Sequence, residues 1–201
     1  MTEFKGRSPS TRNADELLLE IKKRSQDRIR FVIALSGFGG SGKTTMSKKL
    51  ADGLENTEII HLDDFIVDRL SARSRTWEGF DWDRLICEVL KPVSEGADVL
   101  EYGVYDWSKN TTHEQKKVTL KKYLIVEGVG LIREDLRRYF DLMIWIDMPI
   151  ELASARGRKR DRDEPHAPGH DVLWDAVWIP NDQDYFESLQ PASQADFLLR
   201  I

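Results

Sequence analysis

Residues 30–45 read RFVIALSGFGGSGKTT, and this segment is the strongest indication of the fold. Residues 31–35 form an apolar run typical of a buried β-strand, and a helix-forming run follows at 46–54. The turn between them, residues 37–44, matches G-x-x-x-x-G-K-T, the P-loop pattern, in the strand–loop–helix context that this pattern requires. The sequence therefore predicts a site for the phosphates of a nucleotide.

The residue types in this turn suit phosphate binding. Glycines let backbone N–H groups converge on phosphate oxygens, and the start of the following helix adds the positive end of its dipole. Lys43 is expected to place its charge on the outer phosphates, and the Thr44 hydroxyl to ligate Mg²⁺. A glycine-rich turn that merely links a strand to a helix is the alternative, which the complete motif and its flanking elements disfavour. The predicted nucleotide-binding residues of the turn are Gly37, Phe38, Gly39, Gly40, Ser41, Gly42, Lys43, Thr44 and Thr45.

Carboxylates end three further apolar runs of the chain. Alternating strand and helix patterns predict a parallel sheet, in which the carboxyl ends of the strands share one edge with the P-loop. We expect Glu127 to bind Mg²⁺ with Thr44, either directly or through water. Asp63 is the predicted general base for an acceptor hydroxyl and joins the predicted metal site. Asp64 is a partner of Asp63 or a substrate contact, and the alternative for this pair is a turn or helix cap; Asp147 is expected to terminate its strand.

A basic run at 156–162 predicts a second phosphate-binding element. On a helix, Arg156 and Arg160 lie four residues apart on one face, with Arg158 on another. Cations beside a transferring phosphoryl group stabilise its charge, so we expect Arg156 and Arg160 to bind the nucleotide and Arg160 to be catalytic with Lys43. The alternative is a solvated helix balanced by neighbouring acids. After the P-loop, and followed by a Pro- and Gly-containing segment, the run predicts a lid over the phosphates.

Composition restricts the class and location of the protein. The chain has 201 residues, a formal net charge of −5, and 40% hydrophobic and 32% charged residues, which favours one domain over 1–201 and argues against a non-specific nucleic-acid binder. No signal-peptide pattern and no run of about 18 apolar residues is present, so we expect a cytoplasmic protein without a membrane partner. The single cysteine, Cys87, excludes an internal disulfide and is expected to be a buried core thiol. His166 and His170 flank Pro168 and Gly169 and are not expected to bind a metal. Homo-oligomer formation is left open.

These patterns together predict a three-layer α/β/α P-loop NTPase fold with a parallel central sheet. The expected segments are a flexible lead at 1–12, a helix at 13–28, a mobile flap at 66–80, a helix at 81–93, a projecting β-hairpin at 98–120 with a loop at 108–115, a lid at 156–170, a helix at 171–189 that Pro180 interrupts, and a last strand at 195–201.

Six motifs in order carry a resemblance to a known family. The P-loop is followed by LDDF at 62–65, GFD at 79–81, VYDW at 104–107, VEG at 126–128 and an RD-containing basic helix. The chain therefore resembles the uridine kinase family, and it is similar also to nicotinamide riboside kinases and bacterial pantothenate kinases. The resemblance implies a kinase that uses ATP or GTP with Mg²⁺ to phosphorylate a hydroxymethyl group of a small-molecule acceptor. It also implies roles for single residues: Asp63 as the catalytic aspartate, Asp81 at the ribose hydroxyls, Tyr105 near the nucleobase, Glu127 on the magnesium side and Arg160 at the triphosphate.

The sequence departs from this family where the acceptor is read. Uridine kinases usually have a pyrimidine-reading histidine where this chain has Asn110, which is also able to hydrogen-bond a base edge. Two adjacent lid arginines are common in the family, whereas this chain has Arg156-Gly157, and a small helix shift would let Arg158 replace the lost arginine. The predicted acceptor is nucleoside-like, and pantothenate-type or nicotinamide riboside-type acceptors stay open. A nucleotide-dependent regulatory NTPase is the alternative outside the kinases.

Overall fold

The computed structural model describes residues 10–67, 74–163 and 170–201, and its centre is a parallel β-sheet. The P-loop strand is buried at all six positions, because strands covered on both faces are apolar throughout. In chain order the strands are β1 (Ser10–Arg12), β2 (Phe31–Ser36), β3 (Thr57–His61), β4 (Val99–Asp106), β5 (Thr111–Thr119), β6 (Tyr123–Glu127), β7 (Leu142–Ile146) and β8 (Phe197–Leu199).

Helices flank this sheet. The helices are α1 (Ala14–Arg24), α2 (Lys43–Leu54), α3 (Trp82–Arg84, a π-helical stretch Leu85–Leu90, and Lys91–Ser94), α4 (Ile150–Asp163), α5 (His170–Leu173, a π-helical stretch Trp174–Trp178, and Ile179–Leu189) and α6 (Pro191–Gln194), with 3₁₀ turns at Leu62–Phe65 and Arg137–Tyr139. Among the described residues, no helix combines the length and the apolarity needed to cross a bilayer.

The six-stranded sheet has the order β1-β8-β7-β2-β6-β3, and every neighbouring pair is parallel. Glu127 at the end of β6 is in register with Leu35 of β2 on one side and with His61 of β3 on the other. The strand that leads into the P-loop, β2, therefore lies beside β6, which carries Glu127, and β3, which leads to Asp63 and Asp64, is the next strand beyond β6. The predicted α/β fold with a parallel sheet is confirmed.

The predicted flexible lead was wrong for its last residues. Residues 10–12 form β1, which pairs with β8 at the edge of the sheet and so gives its backbone groups hydrogen-bond partners; residues 1–9 lie outside the described part of the chain. The predicted helix at 13–28 forms but ends at Arg24. Asn13 and Glu16 make a capping box at its start.

The predicted hairpin is confirmed as the antiparallel pair β4–β5. Its loop is shorter than expected, because β5 begins at Thr111 and the polar residues 111–115 belong to the strand. A hairpin outside the main sheet tolerates this composition, since its outward-facing side chains are solvated. The register shifts between Val104 and Tyr105, where the pair has a bulge.

Two predictions about the helices were wrong. Cys87 is exposed, because Leu85 and Val89 bury the opposite face of α3. Pro180 does not interrupt α5. It lies in the first turn of Ile179–Leu189, directly after the π-helical stretch. The wider π-helical turn accommodates a residue without an N–H donor, so the helix continues past the proline. The predicted last strand is present as β8.

Candidate functional site

One cleft of about 1050 Å³ lies at the carboxyl edge of the sheet. It is lined by the P-loop, by residues that follow β3 and β6, and by α4 and α5. Of the residues predicted for the site, those that line it are Gly39, Gly40, Gly42, Lys43, Thr44, Thr45, Asp63, Glu127, Arg156 and Arg160. Topology thus joins segments that are far apart in the chain.

The P-loop has the backbone of an anion cradle. Gly40 and Gly42 adopt φ angles of +78° and +91°, which favour glycine, and α2 begins directly after Gly42 without a side-chain cap. Its first N–H groups are therefore available to a phosphate. Lys43 Nζ donates to the carbonyls of Gly37 and Phe38 at 3.1 and 3.0 Å, which holds the ammonium over the loop.

The other P-loop residues predicted to bind nucleotide are Gly37, Phe38 and Ser41. The side chains of Phe38 and Ser41 are buried in the protein. Phe38 packs edge-on against Trp145, with ring centroids 5.1 Å apart. Ser41 is fully buried, and a Cβ on Gly37 would come within 2.6 Å of its hydroxyl. Any contact of Gly37, Phe38 or Ser41 with a phosphate therefore has to be made through the backbone.

Oxygen ligands suited to Mg²⁺ meet beside the P-loop. The Thr44 hydroxyl donates to Glu127 Oε1 at 2.9 Å, and His61 Nδ1 lies 2.6 Å from the same oxygen. Burial opposes ionisation of Glu127, but hydrogen bonds and charges from His61, Lys43 and Thr44 together hold its pKa below the usual value. The hydrogen bond to Glu127 raises the pKa of His61. A hydroxyl beside an ionised carboxylate is the donor set that Mg²⁺ takes in nucleotide sites, so these residues fit the expected ion.

The described residues contain no cluster of three or more His, Cys, Asp or Glu side chains that would hold a metal by itself. Phosphate oxygens are therefore needed to complete a magnesium site at Thr44 and Glu127.

The two adjacent aspartates in the 3₁₀ turn after β3 lie in different surroundings. Asp63 is exposed to the cleft but otherwise surrounded by protein, and this burial, with the charge of Glu127, raises its pKa to about 6. Asp64 is not among the residues that line the cleft; burial raises its pKa, and it faces Tyr102 and Lys116 of the hairpin. The geometry favours Asp63 over Asp64 as the carboxylate that an acceptor meets.

Helix α4 packs directly on the P-loop. A Cβ on Gly40 would come within 2.1 Å of the Ala153 carbonyl oxygen, so the loop and the helix touch through their backbones. Arg156 and Arg160 line the cleft. Arg158 does not, because its guanidinium pairs with Asp175 of α5.

A buried network links α4 to α5 above the P-loop. Asp161 accepts from the Arg160 guanidinium at 2.8 and 2.6 Å and from the Trp174 indole N–H at 2.9 Å. Of the predicted lid at 156–170, the structure describes residues 156–163 and 170. Residues 164–169, which include His166, lie outside the described part of the chain.

The residues predicted to read the acceptor are not among those that line the cleft. Asp81 caps α3 by accepting from Arg84 N at 3.0 Å. The Tyr105 hydroxyl donates to Asn110 Oδ1, and Asn110 is exposed in the hairpin turn with a φ of +54°. The aromatic lining comes from other residues: Trp77, Phe80, Trp107, Trp174 and Trp178.

Known protein families include one whose model matches most of this chain. Residues 32–196 match the Phosphoribulokinase / Uridine kinase family. The chain belongs to this family. It is 31% identical over 157 residues to a uridine kinase of Psychromonas ingrahamii, covering 71% of this chain and 74% of that protein. It is 30% identical over 145 residues to a uridine kinase of Macrococcus caseolyticus, covering 66% and 69%.

Solved structures agree on the fold of this phosphoribulokinase/uridine kinase family member. A Silicibacter kinase provisionally described as part of a fructose transport system superposes with a TM-score of 0.75 at 23% identity, over 93% of this chain and 98% of that one. A possible uridine kinase of Bacillus stearothermophilus gives 0.67 at 21% identity, over 90% and 99%. Membership of this kinase family supports a phosphotransferase.

The structure gives a physical reason for one departure from the uridine kinase pattern. The uridine kinase pattern led us to expect a second arginine at position 157, but a Cβ on Gly157 would lie 2.3 Å from Cη2 of Trp174. The indole thus occupies the space beside α4, and only glycine leaves room for it.

The sequence reasoning missed several residues of the site, including the aromatic residues named above, His61, Asn181 and Asp182. His61 ends β3 in direct register with Glu127, so its position at a strand end was a usable signal. Trp174 lies within the helix predicted at 171–189, but it was not assigned to the site. Asn181 and Asp182 directly follow Pro180, where an interruption was expected, and no pattern marked them.

Asp182 lies against the phosphate-binding loop. Its Oδ2 accepts from Gly39 N at 2.7 Å, and the residue is 2% exposed. Burial raises the pKa of Asp182 to about 7, although the bond from Gly39 opposes this rise.

Proposed function

We propose that the chain is a small-molecule kinase that transfers the γ-phosphate of ATP or GTP, with Mg²⁺, to a hydroxyl of a nucleoside-like acceptor. The observation that carries this proposal is the position of Asp63, which lines the same cleft as the P-loop and the Thr44–Glu127 pair. A carboxylate between the phosphate cradle and an aromatic-lined space suits proton removal from an acceptor alcohol.

In the proposed reaction, the acceptor oxygen bonds to the γ-phosphorus as the bond to the β–γ bridging oxygen breaks, and Asp63 takes the hydroxyl proton. The products are a phosphate ester and a nucleoside diphosphate. Lys43, Arg156 and Arg160 stabilise the charge on the transferred group. Thr44 and Glu127 would hold Mg²⁺, which, when bound, supplies charge neutralisation on the β- and γ-phosphates. Closure by α4 and α5 keeps water away from the γ-phosphate.

Replacing Asp63 by Asn tests the assignment of the base. We expect turnover to fall by about 10²–10⁴-fold, because the amide does not accept the hydroxyl proton, while nucleotide affinity changes by less than about threefold. Steady-state kinetics and calorimetric nucleotide binding measure the two effects. Asp52→Asn, an exposed position on α2, is the matched control. Undiminished turnover in Asp63→Asn would remove the mechanism.

The acceptor is identified by a panel assay. ADP and GDP release is measured from ATP and GTP with nucleosides, nicotinamide riboside, pantothenate and D-fructose, each against a no-acceptor blank. Stimulation by a nucleoside or nicotinamide riboside supports the nucleoside-like assignment, and stimulation by pantothenate or fructose alone redirects it. Strong basal hydrolysis that no compound stimulates would favour a nucleotide-dependent regulatory NTPase.

A further inference from the structure

Helix α5 connects to the P-loop through one buried carboxylate. Asp182 Oδ2 accepts from Gly39 N at 2.7 Å, over a sequence separation of 143 residues. A Cβ on Gly39 would meet Trp174 at 3.1 Å and Asp182 Oδ2 at 3.4 Å, so the loop is packed under α5 as well as hydrogen-bonded to it. Asp182 is nearly fully buried, and little water reaches this contact.

The same helix also holds the far wall of the cleft. Asn181 is fully buried, and its Oδ1 accepts from Ser74 N at 2.6 Å. Ser74 begins the described part of segment 74–80, which supplies Trp77, Gly79 and Phe80 to the cleft. Adjacent residues of α5 therefore contact two different segments that line the cleft: Asp182 contacts the P-loop and Asn181 contacts segment 74–80.

Asp182 also interacts with Trp77 of segment 74–80. Burial raises the pKa of Asp182, and the nearby Trp77 indole N–H opposes part of this rise, although no hydrogen bond of normal geometry joins the two groups. Within the described ranges, Asp182 Oδ1, Trp77 Nε1 and Asn181 Nδ2 are buried polar atoms without a hydrogen-bond partner. Buried polar atoms left this way are costly, so small movements that bring the indole N–H onto Oδ1 are favoured.

We propose that Asp182 is a positioning residue that joins the phosphate-binding loop to segment 74–80, so that nucleotide binding at the loop is transmitted to the acceptor-side wall. This inference rests on the nucleotide-binding part of the proposed function and not on the identity of the acceptor. Asn181 makes a second contact in this connection between the loop and segment 74–80, and it contacts only segment 74–80.

The chemistry of Asp182 allows a discriminating substitution. In Asp182→Asn the amide oxygen still accepts from Gly39 N, but the amide NH₂ then faces the Trp77 N–H, and two donors do not bond. In Asp182→Ala both contacts are lost. Asn181→Ala keeps the Gly39 contact and releases Ser74. Gln183→Ala, exposed on the same helix, is the control.

The experiment is run at pH 8, above the pKa of Asp182, so that both carboxylate oxygens are acceptors. It measures amide hydrogen exchange in peptides covering 37–42 and 74–80, with and without MgADP and a non-hydrolysable Mg–ATP analogue, and the dissociation constants of both nucleotides. In the wild type and Gln183→Ala we expect nucleotide to slow exchange in both segments together. In Asp182→Ala we expect both segments to exchange faster and nucleotide affinity to fall about tenfold, the upper end of the range for losing one hydrogen bond.

The two milder variants separate positioning from general stability. In Asp182→Asn we expect affinity within about threefold of wild type, with nucleotide no longer slowing exchange at 74–80. In Asn181→Ala we expect faster exchange at 74–80 alone. Wild-type exchange at 74–80 in Asp182→Ala, or intact nucleotide-dependent slowing there in Asp182→Asn, would overturn the proposal.

Failure of the proposed function gives a different result. If the wild type bound neither nucleotide, the kinase proposal would fall, whereas the comparison of exchange rates without nucleotide would still test the connection between the loop and segment 74–80. Circular dichroism confirms that each variant is folded, and if Asp182→Ala is not, Asp182→Asn and Asn181→Ala decide the question.

Discussion

Glu127 shows how single side chains set the chemistry of this cleft. The Thr44 hydroxyl and the His61 ring both hydrogen-bond to Oε1, which leaves the other carboxylate oxygen without a protein partner among the described residues. Opposing charges and hydrogen bonds keep the carboxylate ionised despite its burial. A fixed, ionised carboxylate beside a hydroxyl is what a magnesium–nucleotide site requires. His61 thus orients a residue that the sequence had already selected.

The replacement Glu127→Gln tests the role of Glu127 in magnesium binding. The amide has the same shape but no charge, so we expect Mg²⁺ to enhance nucleotide binding at least about tenfold less than in the wild type. Calorimetric titration of ATP with Mg²⁺ and with EDTA measures the difference. Glu114→Gln, exposed on the hairpin, is the control. Equal magnesium enhancement in Glu127→Gln and wild type would show that the ion is held elsewhere.

At the scale of elements, helix α4 has two close contacts that depend on glycine. Gly40 lets the P-loop reach the backbone of α4, and Gly157 lets the Trp174 ring lie against the helix. Trp174 also donates to Asp161, which holds the Arg160 guanidinium. Arg160 is therefore positioned, through Asp161, by an indole from the next helix.

Gly157→Ala should disturb this packing. The added methyl would lie 2.3 Å from the Trp174 ring, and overpacking of this kind costs about 1–3 kcal/mol of the free energy of unfolding. Urea denaturation measures it. Gly53→Ala is the matched control, because its methyl would meet only the mobile end of Leu18 and alanine favours the helix.

The double variant Gly157→Ala/Trp174→Ala provides the internal check for this packing argument. Removing the indole makes room for the methyl, so we expect the loss on Gly157→Ala to be smaller in the Trp174→Ala background. Strictly additive losses would contradict the packing argument.

At the scale of the whole molecule, folding brings Asp182 of α5 to the P-loop and moves it out of water. Burial raises its pKa from 3.8 to about 7, so the folded protein retains a proton that the unfolded chain releases. Since the folded state binds more protons, the contribution of Asp182 to stability is lost as pH rises from the unfolded pKa to the folded one. This pH effect opposes the usual behaviour of ion-paired carboxylates.

The stability of the wild type should therefore fall with pH relative to Asp182→Asn. Between about pH 5 and pH 8 we expect a relative loss of about 3 kcal/mol, because the pKa of about 7 lies roughly two pH units above the lower limit. Urea denaturation of both proteins across this range measures the difference, and comparing the two cancels groups that titrate in both. Parallel pH profiles would contradict the assigned burial.

The sequence was sufficient to predict the P-loop, the parallel sheet and the acidic strand ends, because local patterns encode them: an apolar run, a fixed glycine spacing, and a carboxylate at the end of a strand. It also indicated Asp63 and Glu127, since strand ends in a parallel sheet share one edge. The tertiary structure alone decided which aromatic residues line the cleft, that Arg158 pairs with Asp175, and that Asp182 contacts Gly39. Those facts depend on how helices pack over long sequence separations, which no local pattern records. The hairpin shows the same division, since its strands were predictable but the bond that ties Asn110 to Tyr105 follows from the turn geometry.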